Sequence, residues 1–192
     1  MSSIKEFIRE GPVHSRNIDI RTFPADTGRV VVEGCLRDER LVCGTRWNGE
    51  SENPGVVHRI VVRLLLGEWP LTILEAEAEM LDVPHALCPT TLESIQQVKG
   101  LSIVPGYGKE VQERLGGTRG CTHMAHLVGA MGIAALHGVW TESSRHPRNP
   151  PESLEDIAGF SQLKDSCRLW REDGPIIEEI RAELEALNKR DS

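Results

Sequence analysis

A cysteine and a histidine, two residues apart, stand at the start of the most apolar predicted helix, in the stretch GGTRGCTHMAHLVGAM at positions 116–131. A thiol at the N-terminus of a helix has its thiolate stabilised, so Cys121 is a candidate nucleophile. His123, in the first turn, can accept or donate a proton near neutral pH. These two residue types predict nucleophilic or acid–base chemistry. The alternative for Cys121 is a small buried hydrophobic side chain.

Glycines precede this helix in the segment 116–121, here called the glycine turn. Unpaired N–H groups at the N-terminus of a helix attract an anion, so Gly117, Gly120 and Thr122 are candidates for binding an anionic substrate. His126 could assist them. Thr118 and Thr122 are both predicted as N-caps. The alternative is a stop signal for the preceding helix followed by a tight turn.

A third candidate lies in the first half of the chain, where four stretches rich in Val, Ile, Leu and Thr predict strands at 17–23, 28–36, 56–66 and 71–80. Alternation in the third strand places His58 on the apolar face, with Arg59 and Arg63 on the other. A histidine on an apolar face is usually a hydrogen-bonded core residue. A functional role for His58 therefore requires that Cys121 and His123 converge on it.

The fourth predicted strand carries three glutamates. Alternation places Glu75, Glu77 and Glu79, together with Ile73, on the same face as the two arginines. Opposite charges on neighbouring strands can pair. This spacing favours a solvated charge ladder over catalytic carboxylates or metal ligands.

The second half predicts helices. Thr90 and Glu93 have the spacing of a capping box, with Gly100 as the stop, and a second helix is predicted at about 108–115. The third, at 121–140, has apolar residues nearly all the way round and should be a buried central helix. Strands followed by helices predict an α+β fold, in which an antiparallel sheet of about four strands is covered on one face by a C-terminal helical layer.

Residues 1–140 are predicted to form this single domain, and residues 141–192 a Pro- and Ser-rich connector and an amphipathic helix. Pro175 suits the first turn of that terminal helix. Its apolar stripe should pack on the domain, with a contact between two copies of the chain as the alternative. The stripe consists of Ile176, Ile177, Ile180, Leu184 and Leu187.

Composition excludes several classes of function. With 22 Lys and Arg against 29 Asp and Glu, the 192-residue chain has a formal net charge of −7, which argues against binding of nucleic-acid phosphates. No signal peptide and no membrane-spanning run is evident. The 5 cysteines are far apart and form no Cys-x-x-Cys pair, so reduced thiols are predicted. We expect a cytoplasmic protein.

The segments DIRTFPADTGRVVVEGCLRDERL, CPTTLESIQQVKGLSIVPGYGKEVQERLGG and GCTHM resemble the bacterial domain-of-unknown-function 2889 family, whose hallmark is Gly-Cys-Thr-His-Leu. The resemblance covers roughly residues 14 to 140 and implies no particular activity. Two positions depart from it: Arg59 and His126 stand where the family often has acidic residues. The positions that match its motif residues are His58, Cys88, Gly120, Cys121, Thr122 and His123.

Three functions remain open from the sequence. The first is a small enzyme of lyase or isomerase type, without a cofactor, acting on an organic anion such as a carboxylate or acyl thioester. His58, Cys121 and His123 would be catalytic, and Cys88 would help to bind the substrate. The second is a zinc or iron site formed by His58, Cys88, Cys121 and His123. The third is a non-catalytic binding or accessory protein that uses loop 40–55 and the terminal helix.

Overall fold

The computed structural model describes residues 3–145, 149–157 and 159–189. Its first half is an antiparallel sheet in which four long strands follow one another in the order β1, β2, β5, β6. Two short strands, β3 and β4, pair as a hairpin within the predicted loop 40–55. The strands are β1 (His14–Pro24), β2 (Val30–Arg40), β3 (Gly44–Thr45), β4 (Ser51–Glu52), β5 (Gly55–Gly67) and β6 (Thr72–Asp82).

The second half is helical, which confirms the predicted α+β fold. The α-helices are α1 (Tyr107–Leu115), α2 (Thr122–Ser144), α3 (Phe160–Leu163) and α4 (Pro175–Asn188). Short 3-10 segments connect the other elements, at Ile4–Phe7, Asp26–Gly28, Cys88–Val98, Gly117–Arg119 and Leu154–Asp156.

Two predicted helix starts are wrong. The segment that holds Thr90 is a 3-10 helix that begins at Cys88, and the Thr90 hydroxyl donates to the Leu87 carbonyl at 2.7 Å instead of capping. Pro89 explains the earlier start, because a proline lacks an N–H and suits a first helical turn. At α2 the N-cap is Cys121, so neither Thr118 nor Thr122 occupies that position.

Helix α2 covers the inner face of the sheet and contacts β1, β2 and β5. It approaches β2 closely at Gly34, where an added Cβ would lie 2.8 Å from the Met131 sulfur and 3.0 Å from a Leu127 methyl carbon. Glycine is therefore required at this position by the packing of the helix. The buried residues of α2 are Met124, Ala125, Leu127, Val128, Met131, Gly132 and Ala135.

The outer side of α2 is only partly covered, since Ile133 is 69% exposed. By length and composition alone, α2 could cross a membrane, a test that the core helices of soluble proteins also pass. Here seven of its residues are buried. The central helix of the fold is thus inserted between the sheet on one side and α1 on the other.

The outer face of the sheet carries the predicted charges. Arg63 pairs with Glu77 and Glu79, whereas Glu75 pairs with Lys99 at 2.6 Å. Ile73 was predicted on this face but is buried in the core. The reason is a register shift between Leu65 and Leu66 in the pairing of β5 with β6, which reverses the alternation.

Helix α4 begins with Pro175 in its first turn, as predicted. Ile177 and Leu184 are buried within the same chain, while Leu187 is 36% exposed. The centre of the apolar stripe is therefore covered without a second copy of the chain. All five cysteines are free thiols.

Candidate functional site

Three polar residues form a row across the inner face of the sheet. Arg16 on β1 lies opposite Asp38 on β2, and Asp38 lies opposite His58 on β5. Alternation along β2 places Asp38 on the same face as the buried Leu36, and along β5 it places His58 on the face of Ile60. The row thus closes one end of the hydrophobic core.

Asp38 is the centre of this row. Its side chain is 3% exposed, and Arg16 donates to both carboxylate oxygens, from Nε to Oδ1 at 2.6 Å and from Nη2 to Oδ2 at 2.7 Å. These hydrogen bonds with Arg16 lower the pKa of Asp38, against the opposing effect of burial. The same contact raises the pKa of Arg16. Asp38 is therefore a carboxylate that stays ionised despite its burial.

Two imidazoles reach the same oxygen of Asp38. His58 Nδ1 lies 3.1 Å from Oδ2, and His123 Nε2 lies 3.6 Å from it. His14 Nε2 lies 3.6 Å from Oδ1 at the rim, with its side chain 52% exposed. Arg16, Asp38, His58 and His123 are called the Asp38 cluster below.

The two imidazole rings of the cluster are in contact, with centroids 4.0 Å apart. The pKa of His123 is lowered, chiefly by burial and then by the nearby charge of His58. Arg16 and His126 act in the same direction, and Asp38 opposes them. His123 is therefore favoured as a neutral imidazole, the form that can accept a proton.

Cys121 extends the cluster on one side. It is the N-cap residue of α2 in an extended conformation, and its Sγ lies 3.9 Å from Nδ1 of His123. The structure thus brings together the three predicted catalytic residues: His58 contacts His123, and His123 contacts Cys121. The same imidazole faces the thiol with one nitrogen and the Asp38 carboxylate with the other.

The other predicted site residues are less closely associated with the cluster. Cys88 is the first residue of the 3-10 helix after the sheet and is half-buried. In the glycine turn, Gly117 has a φ of 60°, while the space where a side chain of Gly120 would lie is filled by Ser94 and Leu115. Thr122, the first residue of α2, and His126, one turn further along, are both exposed.

Sequence reasoning missed Arg16, Asp38 and His14. Alternation could have placed two of them on the inner face of the sheet, since Arg16 is in phase with Ile18 on β1 and Asp38 is in phase with Leu36 on β2. Both residues lie beyond the strand ends that were predicted. The charged stretch RDER resembles the solvated end of a strand, and only the register with β1 and β5 shows that Asp38 turns inward.

The donor atoms of the cluster could also hold a metal ion. Among the residues that the structure describes, one group of three or more His, Cys, Asp and Glu side chains has its ligand atoms within 4.8 Å of one another: Asp38, His58 and His123. Neither Cys88 nor Cys121 belongs to that group. Two imidazoles and one carboxylate are a donor set that suits iron or zinc.

Fold and site together define an α+β protein with a buried carboxylate that is shared by two histidines. The chain belongs to the family described as protein of unknown function (DUF2889), whose sequence model matches residues 14–137. No curated protein and no solved structure matches it. The matched region contains the whole sheet, the Asp38 cluster and Cys121, and it ends before α3 and α4.

Proposed function

We propose that this protein is a small enzyme of lyase or isomerase type that acts on an organic anion, a carboxylate or acyl thioester, by acid–base chemistry of His58 and His123. The observation that carries this proposal is the buried Asp38 carboxylate, which lies within 3.6 Å of a nitrogen of each ring. A carboxylate in this position orients an imidazole and stabilises it once it is protonated.

In this proposal each ring has a separate task, and the contacts with Asp38 support the division. His58 donates from Nδ1 to Asp38, which leaves Nε2 as the atom that exchanges a proton with the substrate. His123 faces the same carboxylate with Nε2 at 3.6 Å, and a proton on that nitrogen keeps Nδ1 as a base on the side of Cys121. Because burial favours neutral His123, this ring is ready to take a proton at neutral pH.

An anionic substrate fits the charge of the cluster. The positive charge of Arg16 is paired with Asp38 at 2.6 Å, so these two groups together are close to neutral. A proton taken up by His58 or His123 then adds a positive charge next to the substrate. The amino end of α2 adds a partial positive charge nearby. Both contributions favour negative charge on the substrate, either present at the start, as in a carboxylate, or formed during the reaction, as in the enolate of a thioester.

The test is exchange of C–H for C–D in D2O, followed by NMR, with acetoacetate, malate and acetyl-N-acetylcysteamine as probes. We expect exchange of at least one probe, and a loss of about a hundredfold or more in His58→Gln and in His123→Gln. His137→Gln is the matched control, because His137 is exposed near the far end of the same helix. Absence of exchange with all three probes, or equal rates in all variants, contradicts the proposal.

A second candidate function, a divalent metal site, is favoured by the clustered donor atoms of Asp38, His58 and His123. This ligand set differs from the one considered from the sequence, because Asp38 takes the place of Cys88 and Cys121. Titration calorimetry with Zn²⁺ and Fe²⁺ tests it: binding that is lost in Asp38→Asn and retained in Cys88→Ser supports this set. Weak binding that is equal in both variants contradicts it.

A further inference from the structure

We infer that Cys121 is a catalytic nucleophile, activated by His123 and indirectly by Asp38, and that the substrate is an acyl thioester. This inference rests on the proposed function and narrows its substrate class. A thioester is an acyl compound that a thiolate attacks readily, because the exchange replaces one carbon–sulfur bond by another. The product of the first step is an acyl group on the Cys121 sulfur.

The first argument is the position of the His123 ring between a thiol and a carboxylate. Its Nδ1 lies 3.9 Å from the Cys121 sulfur, and its Nε2 lies 3.6 Å from Asp38 Oδ2. In a nucleophile–base–carboxylate arrangement, the carboxylate sets the tautomer that leaves the other nitrogen free to take the proton. Such contacts often shorten when substrate binds.

The second argument is that amide N–H groups in the first turn of α2 have no acceptor within the helix. Cys121 occupies the N-cap position, but its side chain makes no capping hydrogen bond. The first helical hydrogen bond there runs from the Ala125 amide to the Cys121 carbonyl at 2.9 Å. Helix geometry leaves the amides before Ala125 without intrahelical acceptors. These amides lie beside the thiol, where the negatively charged oxygen of a tetrahedral intermediate would form.

The third argument is that the backbone before Cys121 is held in place. An added Cβ at Gly120 would lie 2.6 Å from the Ser94 hydroxyl oxygen and 2.8 Å from the Leu115 carbonyl oxygen. This close approach means that residue 120 is fixed against both neighbours. Cys121 is itself half-buried and packs against the hydrophobic core. Its sulfur is therefore positioned by the fold, in contrast to the exposed Cys43 and Cys167.

The chemical step follows from these positions. Nδ1 of His123 takes the thiol proton, and the Cys121 sulfur forms a bond to the carbonyl carbon of the thioester. The carbonyl oxygen becomes negative and is bound by the free amides of α2. When the intermediate collapses, the bond to the leaving sulfur breaks and His123 returns its proton to that thiolate. The acyl group then stays on Cys121 as a thioester until a thiol attacks its carbonyl carbon and the same transfers run in reverse.

The experiment is incubation of the full chain with acetyl-N-acetylcysteamine, followed by intact mass measurement and peptide mapping. We expect a single acetyl group on Cys121, absent in Cys121→Ala. The rate should fall about a hundredfold or more in His123→Gln, since the general base is lost. Cys35→Ser is the matched control, because it removes a half-buried thiol on the outer face of the sheet, away from the cluster. A second measurement, the rate of iodoacetamide labelling at Cys121, should also fall in His123→Gln while circular dichroism is unchanged.

Failure of this inference is distinct from failure of the proposed function. Acetylation that is as fast on Cys43 or Cys167 as on Cys121, or that does not depend on His123, overturns the inference. Absence of acetylation on Cys121, with C–H exchange that still depends on His58 and His123, overturns the nucleophile but leaves the acid–base function standing. The converse outcome is that Cys121 is acetylated and that His58→Gln changes no exchange rate. That result supports the nucleophile and contradicts the proposed role of His58.

Discussion

The imidazole rings of His58 and His123 lie in contact, with their centroids 4.0 Å apart and their planes tilted by 33°. Protonation of both rings at this distance would place two positive charges side by side in a largely buried site, which is unfavourable. The ring of His123 is therefore favoured as a neutral imidazole, in line with its lowered pKa.

The first prediction concerns the titration of His123. Its pKa should lie below the usual value of about 6.5, because burial and the charge of His58 both disfavour the imidazolium. His58→Gln should raise this pKa by removing the like charge. NMR of the histidine ring nitrogens against pH measures it, with His137→Gln as the control. A midpoint at or above the usual value would contradict the structure.

The second prediction is the dependence of stability on pH. The pKa of His123 is lower in the folded state than in the unfolded chain. As the pH drops below about 6.5, the unfolded chain therefore binds more protons than the folded one, and the folded state loses stability. This loss ends once the pH is below the pKa of His123 in the folded state. Asp38, whose pKa is also lowered, causes a further loss at more acidic pH. Urea unfolding at several pH values should show that His123→Gln lacks the first loss. The same dependence of stability on pH in His123→Gln as in the unchanged protein would refute this prediction.

The third prediction concerns the ion pair of Arg16 and Asp38. Replacing either residue by its neutral analogue, Arg16→Gln or Asp38→Asn, should destabilise the fold by about 1–3 kcal/mol, because the partner loses charge-assisted hydrogen bonds. A double-mutant cycle by urea unfolding should give a coupling energy in the range of about 0.5–3 kcal/mol. The exposed pair of Asp19 and Arg21, at 2.6 Å, is the matched control. Its coupling should stay below about 1 kcal/mol.

The fourth prediction concerns the contact of α2 with β2. Gly34→Ala places a methyl group 2.8 Å from the Met131 sulfur and should cost about 1–3 kcal/mol in stability. In a Met131→Ala background the same change should cost less, because only the contact with the Leu127 methyl carbon at 3.0 Å remains. Gly129→Ala is the control: nothing lies within 4 Å of that position, so the helix should gain about 0.5–1 kcal/mol. Thermal unfolding compares the three. Equal costs of Gly34→Ala in both backgrounds would show that Met131 is not the obstacle.

Alternation and composition were sufficient for the sheet and for the identity of its inner face. His58 was placed correctly because it is in phase with Ile60. The register shift between Arg59 and Ile60 adds its extra residue to β6 and leaves the alternation of β5 unchanged. Ile73 was misplaced because a shift further along β5 reverses the phase of β6. Such shifts depend on how two strands pair, which a single strand does not reveal.

The candidate site was predicted in part. Cys121 and His123 were found because their types and their position at a helix start are visible in the sequence. Asp38 was not, since its burial depends on contacts with Arg16 and His58 from two other strands. A short charged stretch such as RDER is usually solvated, and only its pairing partners distinguish this case.

The row of Arg16, Asp38 and His58 also has a consequence for folding kinetics. Its members come from three strands, and His123 arrives from a helix much later in the chain, so every contact in the cluster is non-local. The chain must close long loops before any of these groups can meet, which slows the steps that depend on them. During refolding, helical signal should therefore recover before the Asp38 cluster forms.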